Sequence, residues 1–146
     1  MTTTASWLLT SPVDSQRVAL RFLEAYWRAD LDSALAVCTP DATIELPSSA
    51  ATASPAPIAT VLPIIFTKVY PRFVQGHFEI QIDRVMSEEA ATVVEYTATG
   101  SLDNGRTFHC RYLVMIEVEG GKVNRFRPYT DTKYIDAELL AGDRLC

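Results

Sequence analysis

Apolar residues at Val18, Ala19, Phe22, Leu23 and Tyr26 recur at the spacing of one helix face. Ser11-Pro12-Val13-Asp14 ahead of them reads as the helix start. Ser11 supplies an acceptor for free N–H groups, Pro12 a preset φ, and Asp14 a negative charge at the positive end of the dipole. Asp30 breaks the run and caps a second, short helix with Leu31, Ala34, Leu35 and Cys38 inward, stopped by Thr39-Pro40-Asp41. A short strand over Ala42–Pro47 places Ile44 and Leu46 on one face, Thr43 and Glu45 on the other. Residues 47–57 are small and proline-rich and read as a loop. A third helix is predicted over Ile58–Phe73, with Ile64, Ile65, Phe66, Val69, Tyr70 and Phe73 on a broad apolar face. Pro63 is expected to kink it or reset its start.

Beyond this helix the period falls to two. Phe78, Ile80 and Ile82 alternate with Glu79, Gln81 and Asp83, and Met86–Ala90 reads as a turn. Ala91–Ser101 is a strand rich in Val, Thr and Tyr; Asp103-Asn104-Gly105 is a hairpin signal; Thr107–Glu119 is a long strand. Gly120-Gly121-Lys122 turns the chain into a last strand, Val123–Asp131, and Tyr134–Leu140 predicts a short closing helix. Three helices followed by hairpin-linked strands make an α+β domain, a strongly curved, largely antiparallel sheet wrapped on helices.

Composition sharpens that picture. The chain has 146 residues, 48% hydrophobic and 21% charged, enough for one domain with a real core. Residues 1–11 read as an N-terminal arm, with Trp7, Leu8 and Leu9 available to pin it to the body or to a partner subunit; residues 12–146 form the single domain. A net charge of −5 without a basic cluster argues against nucleic acid or an anionic membrane as partner. No apolar run reaches the ~18–20 residues of a membrane span, and the start lacks a signal peptide's basic and apolar regions. Cys38, Cys110 and Cys146 are widely spaced without a CxxC pair, which speaks against a disulfide framework or a zinc site and fits a reducing cytoplasm. No metal and no cofactor are implied.

Two stretches carry a resemblance. Asp30-Leu31-Asp32 leading to Asp41-Ala42-Thr43-Ile44-Glu45 is one; Gly121-Lys122-Val123 leading to Arg127-Pro128-Tyr129-Thr130-Asp131 is the other. Together with the element order over residues 12–140, they resemble the nuclear transport factor 2-like superfamily, which includes ketosteroid isomerases, limonene epoxide hydrolases and SnoaL-like polyketide cyclases. The resemblance implies a cone-shaped α+β barrel, often dimeric, with a pocket at its open end. Neither stretch is catalytic, so the resemblance speaks to fold more than to function.

Strand parity then assigns the inward residues. They are Ile44 and Leu46; Val94, Tyr96, Ala98 and Gly100; Phe108, Cys110, Tyr112, Val114, Ile116 and Val118; and Asn124, Phe126, Pro128 and Thr130. None is a carboxylate, His, Lys or Arg. The resemblance places the epoxide hydrolases' Arg-x-Asp at Tyr96 and Ala98, their last-strand Asp at Pro128, and their Tyr-x-Asn at Ile44 and Leu46. The isomerases' Asp base falls on Leu46, and their oxyanion donors on Phe22 and Val114. The cyclases' Asp falls near Pro128. Leu, Ala, Val and Pro cannot move a proton at any pH. The expectation is therefore an apolar pocket for a small hydrophobic molecule, lined by Tyr96, Tyr112, Phe22, Leu46, Phe66, Tyr70, Cys110, Phe126, Pro128 and Thr130, with no catalytic residue assigned. Core packing remains the alternative for the tyrosines and Phe66, and an inert thiol for Cys110.

Two further readings stay open. One is an isomerase, cyclase or hydrolase of a polyketide, terpenoid or steroid-like substrate that uses Tyr96 or Tyr112. The other is a dimeric interaction module. His77 and Asp83 share a parity but lie ~20 Å apart along a strand, too far to pair directly. The outer face carries His109, Arg111, Glu95, Arg125, Arg127 and Asp131 around Val93, Leu113, Met115 and Tyr129, the expected apolar centre of a homodimer. Pro128 predicts an edge or a bulge at its position.

Overall fold

The computed structural model describes residues 11–45, 55–74 and 78–140. The expected arm, His77, Leu46 and Cys146 lie outside them. Helix α1 (Ser11–Trp27) already includes Ser11 as its first helical residue. At its far end the chain reverses through Ala29 in the left-handed region (φ 56). The Asp30 N–H donates to the Ala25 carbonyl (2.9 Å) and the Ala29 N–H to that of Tyr26 (3.1 Å), the paired bonds of a Schellman closure. Asp30 then caps α2 (Leu31–Ala36), its carboxylate accepting from the Ser33 N–H at 3.2 Å.

Strand β1 (Cys38–Ile44) begins four residues before the expected strand, so Thr39-Pro40-Asp41 continues the fold as strand rather than stopping a helix. It pairs in parallel with the last strand, Cys38 opposite Val123 and Thr43 opposite Arg125. The residues between, Pro40 included, bow out of the ladder, which is why a residue without an N–H is tolerated there. Two residues of the expected loop form β2 (Ala56–Pro57), paired with Thr43 and Ile44. Helix α3 (Ile58–Lys68) runs through Pro63 without a break. It stops at Lys68, short of the predicted Phe73, because Pro71 disfavours helical backbone at Tyr70; a 3₁₀ turn (Tyr70–Arg72) follows.

Strands β3 (Glu79–Glu88), β4 (Ala91–Ser101), β5 (Thr107–Glu119) and β6 (Lys122–Thr130) complete a six-stranded mixed sheet of order β2-β1-β6-β5-β4-β3. The sheet is curved and does not close. The fold is thus α+β, as expected, with helices on a curved mixed sheet. Helices α1, α2 and α3 pack on it, and α4 (Thr132–Ile135) with a π-helical turn (Asp136–Leu140) ends the described chain.

Three register details set which side chains face inward. β3 extends through Met86, where a turn was expected; the turn is only Glu89-Ala90, with Glu89 at φ 52. Asp83 is an extra residue between the pairs Ile82/Tyr96 and Arg84/Glu95, so the face of β3 switches there. In β6 a second bulge lies between Glu117/Arg125 and Val118/Val123. Val123 therefore turns inward and is fully buried, whereas Asn124, expected inside, reaches out to the Glu119 carboxylate (3.2 Å).

Pro128 sits in a strand with neighbours on both sides. Among the described residues, however, β1 pairs with β6 no further than Ile44 opposite Phe126, with the Glu45 N–H donating to the Phe126 carbonyl. Two residues on, Pro128 faces the same side past the end of that pairing. It is a local edge, where a missing N–H costs no ladder bond.

Candidate functional site

The C-terminal two turns of α1 present Phe22, Tyr26 and Trp27 to the concave face of the sheet. Tyr26 is the centre of one aromatic group. Its ring lies 5.2 Å from Phe126, 5.9 Å from Phe66 and 6.0 Å from Tyr70, and Phe22 meets Phe126 edge-on at 5.0 Å. The Tyr70 hydroxyl donates to the Tyr26 backbone carbonyl at 2.7 Å, fastening the end of α3 to the end of α1.

A second group stands beside it. Tyr96 on β4 and Tyr112 on β5 are direct cross-strand partners and stack at 4.9 Å with their planes 10° apart. Trp27 meets Tyr96 edge-on at 4.8 Å. The Tyr96 hydroxyl oxygen accepts from the Trp27 indole N–H. Next to this pair the Cys110 sulfur is 3.0 Å from the Thr130 hydroxyl, which itself donates to the Arg111 carbonyl at 2.7 Å. The Cys110 thiol also reaches that Arg111 carbonyl, at 3.6 Å.

Burial governs the electrostatics of these groups. It pushes the Tyr26 hydroxyl up to about 12, with the Tyr70 hydroxyl opposing. The hydroxyls of Tyr70, Tyr96 and Tyr112 are raised well above the usual phenol value, first by burial and then by one another's proximity. Trp27 opposes the shift at Tyr96. Burial also raises the Cys110 thiol, opposed by the hydroxyls of Thr130 and Tyr112, and raises Cys38 to about 12. At neutral pH these groups are uncharged donors. They can hold and polarise an oxygen, and they do not serve as bases or thiolate nucleophiles.

Residues 19–126, from α1 into β6, match the SnoaL-like domain. The chain belongs to that family. Solved structures agree on the fold. A proposed SnoaL-like polyketide cyclase from Jannaschia superposes with a TM-score of 0.73 at 16% identity, covering 97% of this chain and 99% of that one. An LEH-like epoxide hydrolase from M. tuberculosis gives 0.65 at 23% identity (90% and 92%), and an NTF2-like protein from Burkholderia xenovorans gives 0.66 at 22% (88% and 98%). No curated protein matches the sequence.

Within this SnoaL-like cone, Phe22, Phe66, Tyr70 and Phe126 gather in the first aromatic group, and Tyr96, Tyr112, Cys110 and Thr130 in the second. Pro128 is buried opposite Val114. Tyr26 and Trp27 are site members that sequence reasoning passed over. Trp27 carried a signal, since it extends the stripe of Ala19 and Leu23 by one more step of four.

On the outer face Asp83 accepts from Thr97 (3.0 Å) and Gln81 (3.1 Å). His109 Nδ1 lies 3.2 Å from the Thr99 hydroxyl. Among the described residues no group of three or more His, Cys, Asp or Glu side chains is placed to hold a metal ion. No described helix is long and apolar enough to cross a membrane. A separate cleft of about 410 Å³ opens between Val74, Phe78, Glu79 and the Gly100 end of β4, and holds none of the expected pocket residues.

Proposed function

We propose that this SnoaL-like protein holds a small hydrophobic molecule inside its cone and lacks the acid/base groups of the enzymes it resembles. One observation carries the reading. Tyr26 and Tyr112 sit deep enough for burial to lift their hydroxyl pKa values, yet both keep accessible surface, as do neighbouring Trp27 and Phe66. Side chains crowded by protein but not fully covered are what rings around a hollow would leave, and this partial exposure supports the reading. Its walls are aromatic, and its polar points are few and neutral, as in sites that orient ligands by a handful of hydrogen bonds. The inward positions of β4, β5 and β6 carry no Asp, Glu, His, Lys or Arg. Residues 46–54, which follow β1 and Glu45 in sequence, contain no ionisable side chain either.

A thermal-shift series with terpenoid, steroid and aromatic polyketide compounds tests this. A true ligand at 100 times its Kd stabilises by about 2.7 kcal/mol. Stabilisation by at least one class is expected; none from any class overturns the reading.

A catalytic reading is favoured by the family and by its cyclase and epoxide hydrolase neighbours. On this chain its chemistry would rest on Tyr96 or Tyr112 polarising a carbonyl or epoxide oxygen. Turnover lost in Tyr96→Phe or Tyr112→Phe would support it, and turnover retained in both would exclude those roles.

The outer face supports a homodimer. Leu113, Tyr129 and Met86 are 45%, 40% and 54% exposed, and with Val93 and Met115 they form an apolar centre ringed by ion pairs. Sizing across concentration is expected to give a dimer that Met115→Asp breaks. An unchanged mass in Met115→Asp removes this interface.

A further inference from the structure

Residues 132–140 are fastened to the body through side chains. Among the described residues, no backbone–backbone hydrogen bond joins them to the sheet or to another helix. Asp131 caps α4, its carboxylate accepting from the Tyr134 N–H at 3.1 Å, so the segment is a unit joined to the end of β6. Three polar contacts hold it. The Tyr134 hydroxyl accepts from the His109 N–H at 3.0 Å. Arg72, in the turn after α3, donates to the Leu139 carbonyl at 2.8 Å and also pairs with Asp103 at 3.3 Å. Arg106, between β4 and β5, donates to the Glu138 carboxylate at 2.6 Å. This last pair is lopsided, with the Glu138 side chain 8% exposed and that of Arg106 67%. Docking strips water from the carboxylate, and among the described residues Arg106 is the only cation paired with it.

We propose that this C-terminal segment is a gate that swings out from the end of β6 while the sheet stays folded, with the Arg106–Glu138 pair as its latch. Segments held by few bonds that water can reach open at a free energy below that of global unfolding. Leu139, which is buried, is the apolar anchor that opening must withdraw. What lies beneath shows where the gate leads. Tyr134 rests on Phe108 at 5.5 Å, and Phe108 begins the inner row of β5 that continues to Cys110 and Tyr112. The Asp131 N–H, at the joint, is within hydrogen-bond reach of the Cys110 thiol. Undocking therefore uncovers the inner row from its Phe108 end. The proposal rests on the pocket reading for what passes through, but its test uses no ligand, so each can fail alone.

Amide hydrogen exchange at His109 reports the gate, because opening removes its acceptor, the Tyr134 hydroxyl. Arg106→Met leaves a buried carboxylate unpaired, and undocking is what returns it to water. That variant should speed His109 exchange at least about tenfold, with the amides around Val114 unchanged. Adding Glu138→Met removes the stranded charge and should restore slow exchange, since an apolar pair docks as well as a buried ion pair. Modification of Cys110 by 4,4′-dithiodipyridine, located by peptide mass mapping, should follow the same order of rates. A double variant as open as Arg106→Met shows that the pair is no latch. Amides around Val114 that speed up with His109 show global unfolding and no gate. A response at His109 without one at Cys110 shows that the segment opens away from the inner row. Each of these overturns the proposal. Where Arg106→Met does not fold, wild-type exchange in low urea decides: His109 must show a weaker urea dependence than the amides around Val114.

Discussion

The two faces of the same sheet differ by one residue of register and by almost everything else. Across β4, β5 and β6 an inner row runs Tyr96, Tyr112, Thr130, and the adjacent outer row runs Glu95, Leu113, Tyr129. Inside, polar atoms are neutral hydroxyls set among rings. Outside, Arg125 meets Glu45 at 2.7 Å and Glu117 at 3.6 Å, Arg127 meets Glu117 at 2.9 Å, and apolar side chains remain exposed. Water explains the division. The outer face can keep ions because solvent shares their charge, whereas the inner face admits only groups whose neutral form already makes useful hydrogen bonds.

The sharpest way to break this contrast is to remove one apolar side chain from each face. Phe126 is fully buried against Phe22 and Tyr26. Phe126→Ala should cost about 3–5 kcal/mol in urea unfolding, a large share of a domain's ~5–15 kcal/mol. Leu113→Ala, on the exposed row, should stay within about 0.5 kcal/mol in the monomer. A larger, concentration-dependent loss at Leu113 would instead mark the outer face as an interface.

Alkaline pH probes the inner face without mutation. Burial lifts the Tyr26 hydroxyl to about 12 in the folded chain against 10.0 when free, and raises Tyr70, Tyr96 and Tyr112 as well. A raised folded-state pKa means that the unfolded chain loses its proton first. Stability from these groups is therefore intact below pH 10 and falls as pH climbs from 10 through the raised folded-state values. Absorbance of the native protein near 295 nm should accordingly show these four hydroxyls silent at pH 10–11. These four titrating near pH 10 in the folded state would mean that the inner face is wet.

How far this contrast could be read in the chain depended on the ladder. β4 and β5 pair without interruption from Ala91 opposite Glu117 to Ser101 opposite Thr107, so alternation alone assigned their faces correctly. β6 escaped it at Val123 and Asn124, because a bulge depends on what the neighbouring strand does and leaves no local mark. β1 was placed too late for a related reason. Its partner is a parallel strand some eighty residues away in sequence, and Pro40 reads locally as a stop. The turn after β3 was misplaced because Glu89 holds a left-handed backbone without the glycine that usually signals one, unlike Gly120 and Gly121. For the site, the aromatic residues were legible. The contact of Trp27 with Tyr96 was not, since it exists only once α1 and β4 are packed together.

The smallest expected effect lies at the joint that presents Trp27. Ala29 adopts φ 56, a region that costs an ordinary residue roughly 1–2 kcal/mol and glycine little. Ala29→Gly relieves that strain but adds freedom to the unfolded chain, so a net gain of about 0.5 kcal/mol is expected. The gain should appear as a Tm raised by about 1–2 °C. Because the backbone path is unchanged, the Trp27 indole signal should stay where it is. A fall in Tm would show that the Ala29 methyl, which packs partly against the core, contributes more than the strain costs. A moved indole signal would show that this one methyl group helps aim Trp27 at the interior, and its contact with Tyr96 would then depend on the helix closure as much as on the strand.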